Sequence, residues 1–84
     1  MKQNTASLEL TRLEQLARNA MSFCLGYHNA RDGKITRELT AREIASIWPY
    51  VDTGAFANGV QDGLLGDDYR HIRAHQIAQA AGLV

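Results

Sequence analysis

Apolar residues along this chain fall into stretches of helical period separated by short polar breaks. From Ser7 to about Arg31, Leu10, Leu13, Ala17, Ala20, Cys24 and Tyr27 recur three and four apart, and Leu16 and Phe23 widen the stripe. The pattern predicts a long first helix, capped by Thr5 or Ser7 and stopped at Asp32-Gly33, where glycine accepts the left-handed conformation. Lys34 to Leu39 is a polar connection, with Ile35 and Leu39 expected to tuck back onto the core. Thr40-Ala41-Arg42-Glu43 is a capping box opening a second helix with Ile44, Ile47 and Trp48. Pro49 ends it near Trp48, because proline disfavours helical geometry in the residue before it. Asp52 or Thr53 caps a third helix from Gly54 to Leu65, and Gly66 closes it. Asp67 or Asp68 caps a fourth from Tyr69 to Ala81, closed by Gly82.

These elements predict an all-α fold, a compact small bundle of about four helices with one long N-terminal helix and three shorter ones. The 84 residues make one helical domain over 1–84, with residues 1–6 frayed. Nine basic and nine acidic residues leave no net charge, which removes the simplest electrostatic case for a nucleic-acid binder. The single cysteine excludes an internal disulfide framework and fits a reducing compartment. No apolar run approaches the ~18 residues of a membrane span, and the first residues lack the apolar core of a signal peptide. A cytoplasmic protein without a membrane partner is therefore expected.

One internal echo stands out. Offset by 33 residues, Ser22-Phe23-Cys24-Leu25-Gly26 aligns with Ala55-Phe56-Ala57-Asn58-Gly59, and small residues recur every fourth position in each: Ser22, Gly26, Ala30 and Ala55, Gly59, Gly63. A glycine inside a helix costs ~1 kcal/mol relative to alanine, so these rows need a compensating reason. Close approach of another helix supplies one. The rows are read as contact surfaces, packed on one another within the chain or on a partner.

Candidate chemistry is sparse. Cys24 and His28 stand four apart on the first helix, and His71 and His75 four apart on the fourth, the spacing with which two helices could furnish four zinc ligands. The strongest apolar stripe of the fourth helix runs through Tyr69, Ile72, Ala80 and Leu83, however. Both histidines point away from it, so no metal or other cofactor is expected. Asp67 stands four before His71, but paired aspartates at a helix start are what capping favours. Gly59 to Gly66 lacks the lysine and preceding strand of a phosphate loop. No enzyme is expected.

Thr40-Ala41-Arg42-Glu43-Ile44-Ala45 resembles the first helix of helix-turn-helix domains, which implies a DNA-binding regulator drawing on the basic cluster Arg31, Lys34, Arg37 and Arg42. The sequence departs from that pattern at Pro49, where a turn glycine is usual, and at Asn58, where a branched apolar residue is usual. No Lys or Arg occurs between Arg42 and Arg70, so the would-be recognition helix offers only Asp52, Asn58, Gln61 and Asp62. The leading expectation is instead a small non-enzymatic protein-binding module: a regulator, adaptor or inhibitor that covers a surface of a partner protein, with self-association into a homodimer as a companion expectation. In size and style the chain resembles many small proteins of phages and other mobile elements. Its expected interaction residues are Gly26, Ala30, Gly59 and Gly63, the Trp48-Pro49-Tyr50 corner, which gives aromatic contact area at low entropy cost, and the rim formed by Arg31, Lys34, Arg37 and Arg42.

Overall fold

A computed structural model describes the backbone of residues 3–82 and the side chains of residues 12–82. Four helices follow in order: α1 (Gln3–Arg31), α2 (Ala41–Ile47), α3 (Thr53–Leu65) and α4 (Tyr69–Ala80). The all-α reading holds. The first helix begins at Gln3 rather than Ser7, so neither Thr5 nor Ser7 stands at its N-cap position. Residues 1 and 2 lie outside the described residues.

Helix ends follow local chemistry closely. After α1 the chain turns at Gly33 (φ 79°), where the Gly33 amide donates to Ala30 O at 3.2 Å and the Lys34 amide to Asn29 O at 2.9 Å. After α3 the same pair of bonds recurs about Gly66 (φ 75°), from Gly66 to Gly63 O and from Asp67 to Asp62 O. Both are Schellman closures, which a residue with a side chain would strain. The Thr40 capping box is complete, and Arg37 grips Glu43 through both carboxylate oxygens at 2.7 and 3.3 Å. Asp52 caps α3 by accepting from the Ala55 amide, and its own amide donates to the buried Ser22 hydroxyl at 2.8 Å, tying the start of α3 to α1. At α4 the capping side chain is Asp67, which accepts from the Tyr69 amide. Asp68, one residue nearer, accepts instead from the Tyr27 hydroxyl of α1.

The small-residue rows lie at the crossing of α1 and α3, within the chain. A Cβ on Gly26 would sit 2.2 Å from Phe56 O, and one on Gly59 would sit 2.0 Å from Phe23 O. The contact is reciprocal: the glycine of each Phe-x-x-Gly segment faces the phenylalanine carbonyl of the other. One turn on, a Cβ on Gly63 would sit 2.6 Å from Tyr27 O and 2.7 Å from the Ala30 methyl. This crossing divides the interior. On one side Ala20, Phe23, Cys24 and Tyr27 meet Ala74 and Ala78 of α4. On the other, Phe56 and Val60 meet Ile35 and Ile44, with Leu39 and Trp48 packed alongside. Ile35 and Leu39 thus return to the core as the pattern predicts.

The radius of gyration is 14.0 Å, above the ~12 Å usual for this length. The surplus reflects α1, which is exposed on all sides from Arg12 to Leu16 before it meets the other helices. Among the described residues no helix is long and apolar enough to cross a membrane.

Two outcomes test this packing. Gly26→Ala and Gly59→Ala each force a methyl into a backbone carbonyl, so each should cost about 2–3 kcal/mol in urea unfolding despite alanine's better helix propensity. Gly54→Ala, whose Cβ would meet nothing nearer than 3.5 Å, should be neutral or stabilising by up to ~1 kcal/mol. The second outcome concerns pH. The Arg37 guanidinium, and then the Thr40 amide, hold the Glu43 carboxyl well below the usual carboxylate range, at about 2. A depressed folded-state value contributes stability that is complete above the unfolded value and is lost as pH falls toward about 2. The Tm gap between the wild type and Glu43→Gln should therefore be present near neutral pH and close in acid.

Candidate functional site

Helix α4 meets α1 through its small residues. Ala74 and Ala78 are buried, whereas Tyr69 and Ile72, taken from the sequence as the packing stripe, stand 79% and 55% exposed. Leu83, the last member of that stripe, lies outside the described residues. Short side chains let the two backbones approach, and bulky ones would hold them apart. The face of α4 set against α1 therefore centres on Ala74 and Ala78, with half-buried Ile77 and His71 beside them and the exposed His75 at its edge, which brings both histidines to the side of Cys24.

The expectation that the two pairs diverge is accordingly corrected. Ligand atoms of Cys24, His71 and His75 all lie within 4.8 Å of one another. His28 Nε2 lies 3.2 Å from His71 Nε2. The His71 ring stacks on Tyr27 with centroids 4.0 Å apart and planes 7° from parallel, and His28 meets its edge at 4.7 Å. Burial pushes the Cys24 thiol up, away from the activated thiolate of a catalytic cysteine. Burial, and then the neighbouring His28 and His75, push His71 down toward the neutral imidazole.

A broad groove of about 1350 Å³ runs along the other flank of this seam. Its walls come from one flank of α1 (Leu13 to His28), the Trp48-Pro49-Tyr50 corner and the end of α4 (Ile77, Ala80). Large apolar side chains around it are open to solvent, with Leu13 61%, Ile47 62% and Tyr50 91% exposed. The corner itself splits in two. Trp48 is half-buried against Phe56, with ring centroids 4.6 Å apart, and Tyr50 projects outward.

The remaining expected interaction residues divide sharply. Gly26, Ala30, Gly59 and Gly63 are enclosed between α1 and α3, where no partner reaches them while the chain is folded. Arg31, Lys34, Arg37 and Arg42 are exposed, but Arg37 is engaged by Glu43. Of the polar residues assigned to a would-be recognition helix, Asp52 is spent as a cap and Asp62 is 5% exposed. Asp62 receives the Arg70 guanidinium at 2.6 and 2.8 Å, and that guanidinium also lies over the Phe23 ring. Neither residue stands out in the sequence, because the pair spans the α3–α4 turn and no local motif marks it. The solvent face of α3 carries Gly54, Asn58, Gln61, Leu64 and Leu65, with no cation to engage phosphate.

No family model matches the chain, and neither do the curated proteins or the solved structures compared with it.

The division of the corner is open to test. Trp48→Ala should lower stability by about 2 kcal/mol, below the ~3–5 kcal/mol of a fully buried aromatic because the ring is half-buried, whereas Tyr50→Ala should stay within ~0.5 kcal/mol. Equal losses in thermal unfolding would show that both rings are structural.

Proposed function

We propose that this chain is a small non-enzymatic protein-binding module, a regulator, adaptor or inhibitor, which seats an apolar segment of a partner protein in the groove between α1, the Trp48-Pro49-Tyr50 corner and α4. The observation that carries the reading is the contiguity of that apolar surface. Leu13, Leu16, Met21, Leu25, Ile47 and Tyr50 are all exposed, and all line the one groove. Large exposed apolar patches on small proteins mark contact sites, because leaving such surface in water is unfavourable at about 25 cal/mol per Å².

The form of the groove suits an amphipathic helix. One wall is the straight flank of α1, where Leu13, Leu16, Ala17, Met21 and Leu25 repeat at helical spacing. Glu14 and Arg18 stand on the same flank and offer one charge of each sign to a partner's polar edge. Tyr50, rigid and fully presented, is the natural anchor. Self-association uses the same surface, since an apolar flank of one copy is itself an amphipathic helix.

Site-specific photo-cross-linking in cells of the source organism tests the reading. A photoreactive residue at position 50 should give a discrete protein adduct, and one at Gln61 on the solvent face of α3 should give none. Leu16→Glu should abolish the adduct while leaving the circular dichroism unchanged. Adducts of equal yield from both positions would overturn the groove as the contact surface. An adduct of twice the chain's own mass would replace the foreign partner with a second copy.

A further inference from the structure

The cluster of Cys24, His28, His71 and His75 borders the apolar groove through Cys24 and His28 but has its own chemistry. We propose that these four side chains form a tetrahedral site for a zinc-class divalent ion, joining α1 to α4.

Three observations support it. The first is the donor set. One thiol and three imidazoles are the borderline-soft donors that zinc selects, and Cys-His combinations of four ligands make closed structural sites. The second is spacing. Each helix contributes two ligands one turn apart, Cys24 with His28 and His71 with His75, so each pair projects from one helical face. Nitrogens ~2.0 Å from a tetrahedral zinc lie ~3.3 Å from one another, and a thiolate sulfur at ~2.3 Å lies ~3.6 Å from them. The 3.2 Å between His28 Nε2 and His71 Nε2 already matches that edge. Cys24, His71 and His75 present their ligand atoms within 4.8 Å of one another, and His28 joins this trio through His71, so closing the tetrahedron asks for side-chain rotation about the existing cluster. The third is orientation. His71 lies flat on Tyr27, and the Tyr27 hydroxyl is held by Asp68, so the ring at the centre of the cluster is fixed from behind.

The surroundings also fit. Cys24 is buried, His71 is half-buried and His75 is exposed, which gives a site with a protected thiolate and an open side for the ion to enter. Binding exchanges the Cys24 thiol proton for the metal, so one proton leaves to solvent and the thiolate is held by the cation. No oxidant or reductant takes part. With four protein ligands the site has no open position, so its role is structural: it fixes α4 against α1, where α4 buries only the small Ala74 and Ala78 fully.

Titration of the metal-free chain with Co²⁺ tests this directly. A thiolate-to-cobalt charge-transfer band and the intense visible bands of tetrahedral cobalt should saturate at one ion per chain, and Zn²⁺ should displace them. Cys24→Ser should remove the charge-transfer band. His75→Ala, at an exposed position that leaves the core intact, should weaken binding by more than about 100-fold, beyond the ~10–100-fold typical of losing an outer-shell partner. Excess Zn²⁺ should raise the Tm of the wild type and leave that of His75→Ala unchanged. A cobalt spectrum without the thiolate band, or undiminished affinity in His75→Ala, would overturn the site. Undiminished affinity in His28→Ala would overturn that residue's place in it.

Discussion

Two glycines, Gly26 and Gly59, face each other's preceding turn at a distance that no side chain can occupy. A Cβ on either would fall 2.0 to 2.2 Å from a backbone carbonyl, so the α1–α3 crossing exists only because both positions are bare. The arrangement runs against helix propensity, at ~1 kcal/mol for each glycine. What offsets that cost is the area closed by two backbones in contact, and the fixed placement of the phenylalanines that flank them. Phe23 is directed toward α4 and Phe56 toward α2, so one crossing seeds both halves of the interior.

The other helices follow from this frame. α2 is short, set by its capping box and stopped before Pro49, and it contributes the fully buried Ile44. α4 is added through Ala74 and Ala78, and through polar ties at its beginning. Asp68 holds Tyr27, and Arg70 spans from Asp62 to the face of Phe23. An acidic group as enclosed as Asp62 is tolerable only with such a partner, since a buried carboxylate without hydrogen bonds is severely penalised. The same docking brings His71 and His75 onto Cys24 and His28. A polar cluster thus borders a seam in which Phe23 and Tyr27 of α1 pack on the methyl groups of Ala74 and Ala78.

The surface divides by character. The α1 flank, the Trp48-Pro49-Tyr50 corner and the end of α4 are apolar and open, whereas among the exposed cations from Arg31 to Arg42 the Arg37 guanidinium is already paired with Glu43. The proposed contact through the groove would therefore draw on buried apolar area far more than on charge. The cysteine–histidine cluster borders the groove through Cys24 and His28, so the order of the α1–α4 seam bears on the shape of the surface offered there.

Local signals in the amino-acid sequence determined the four helices, the Thr40 capping box, the stop at Pro49 and the glycine turns at 33 and 66, since each depends on residues within one or two turns of one another. The 33-residue echo also marked both sides of the helix crossing, because a glycine ridge is a surface that only close approach explains. The tertiary structure alone decided which face of α4 is buried. Read along the chain, Tyr69 and Ile72 look like its core stripe, but a helix that must approach another closely presents alanine and leaves its bulky residues outside. That single rotation set His71 and His75 beside Cys24, enclosed Asp62 against Arg70 and left an apolar flank of α1 uncovered. None of these is encoded by spacing within a helix: each depends on the angle and depth at which two helices meet, and that is fixed by contacts between residues some 40 to 50 positions apart in the chain.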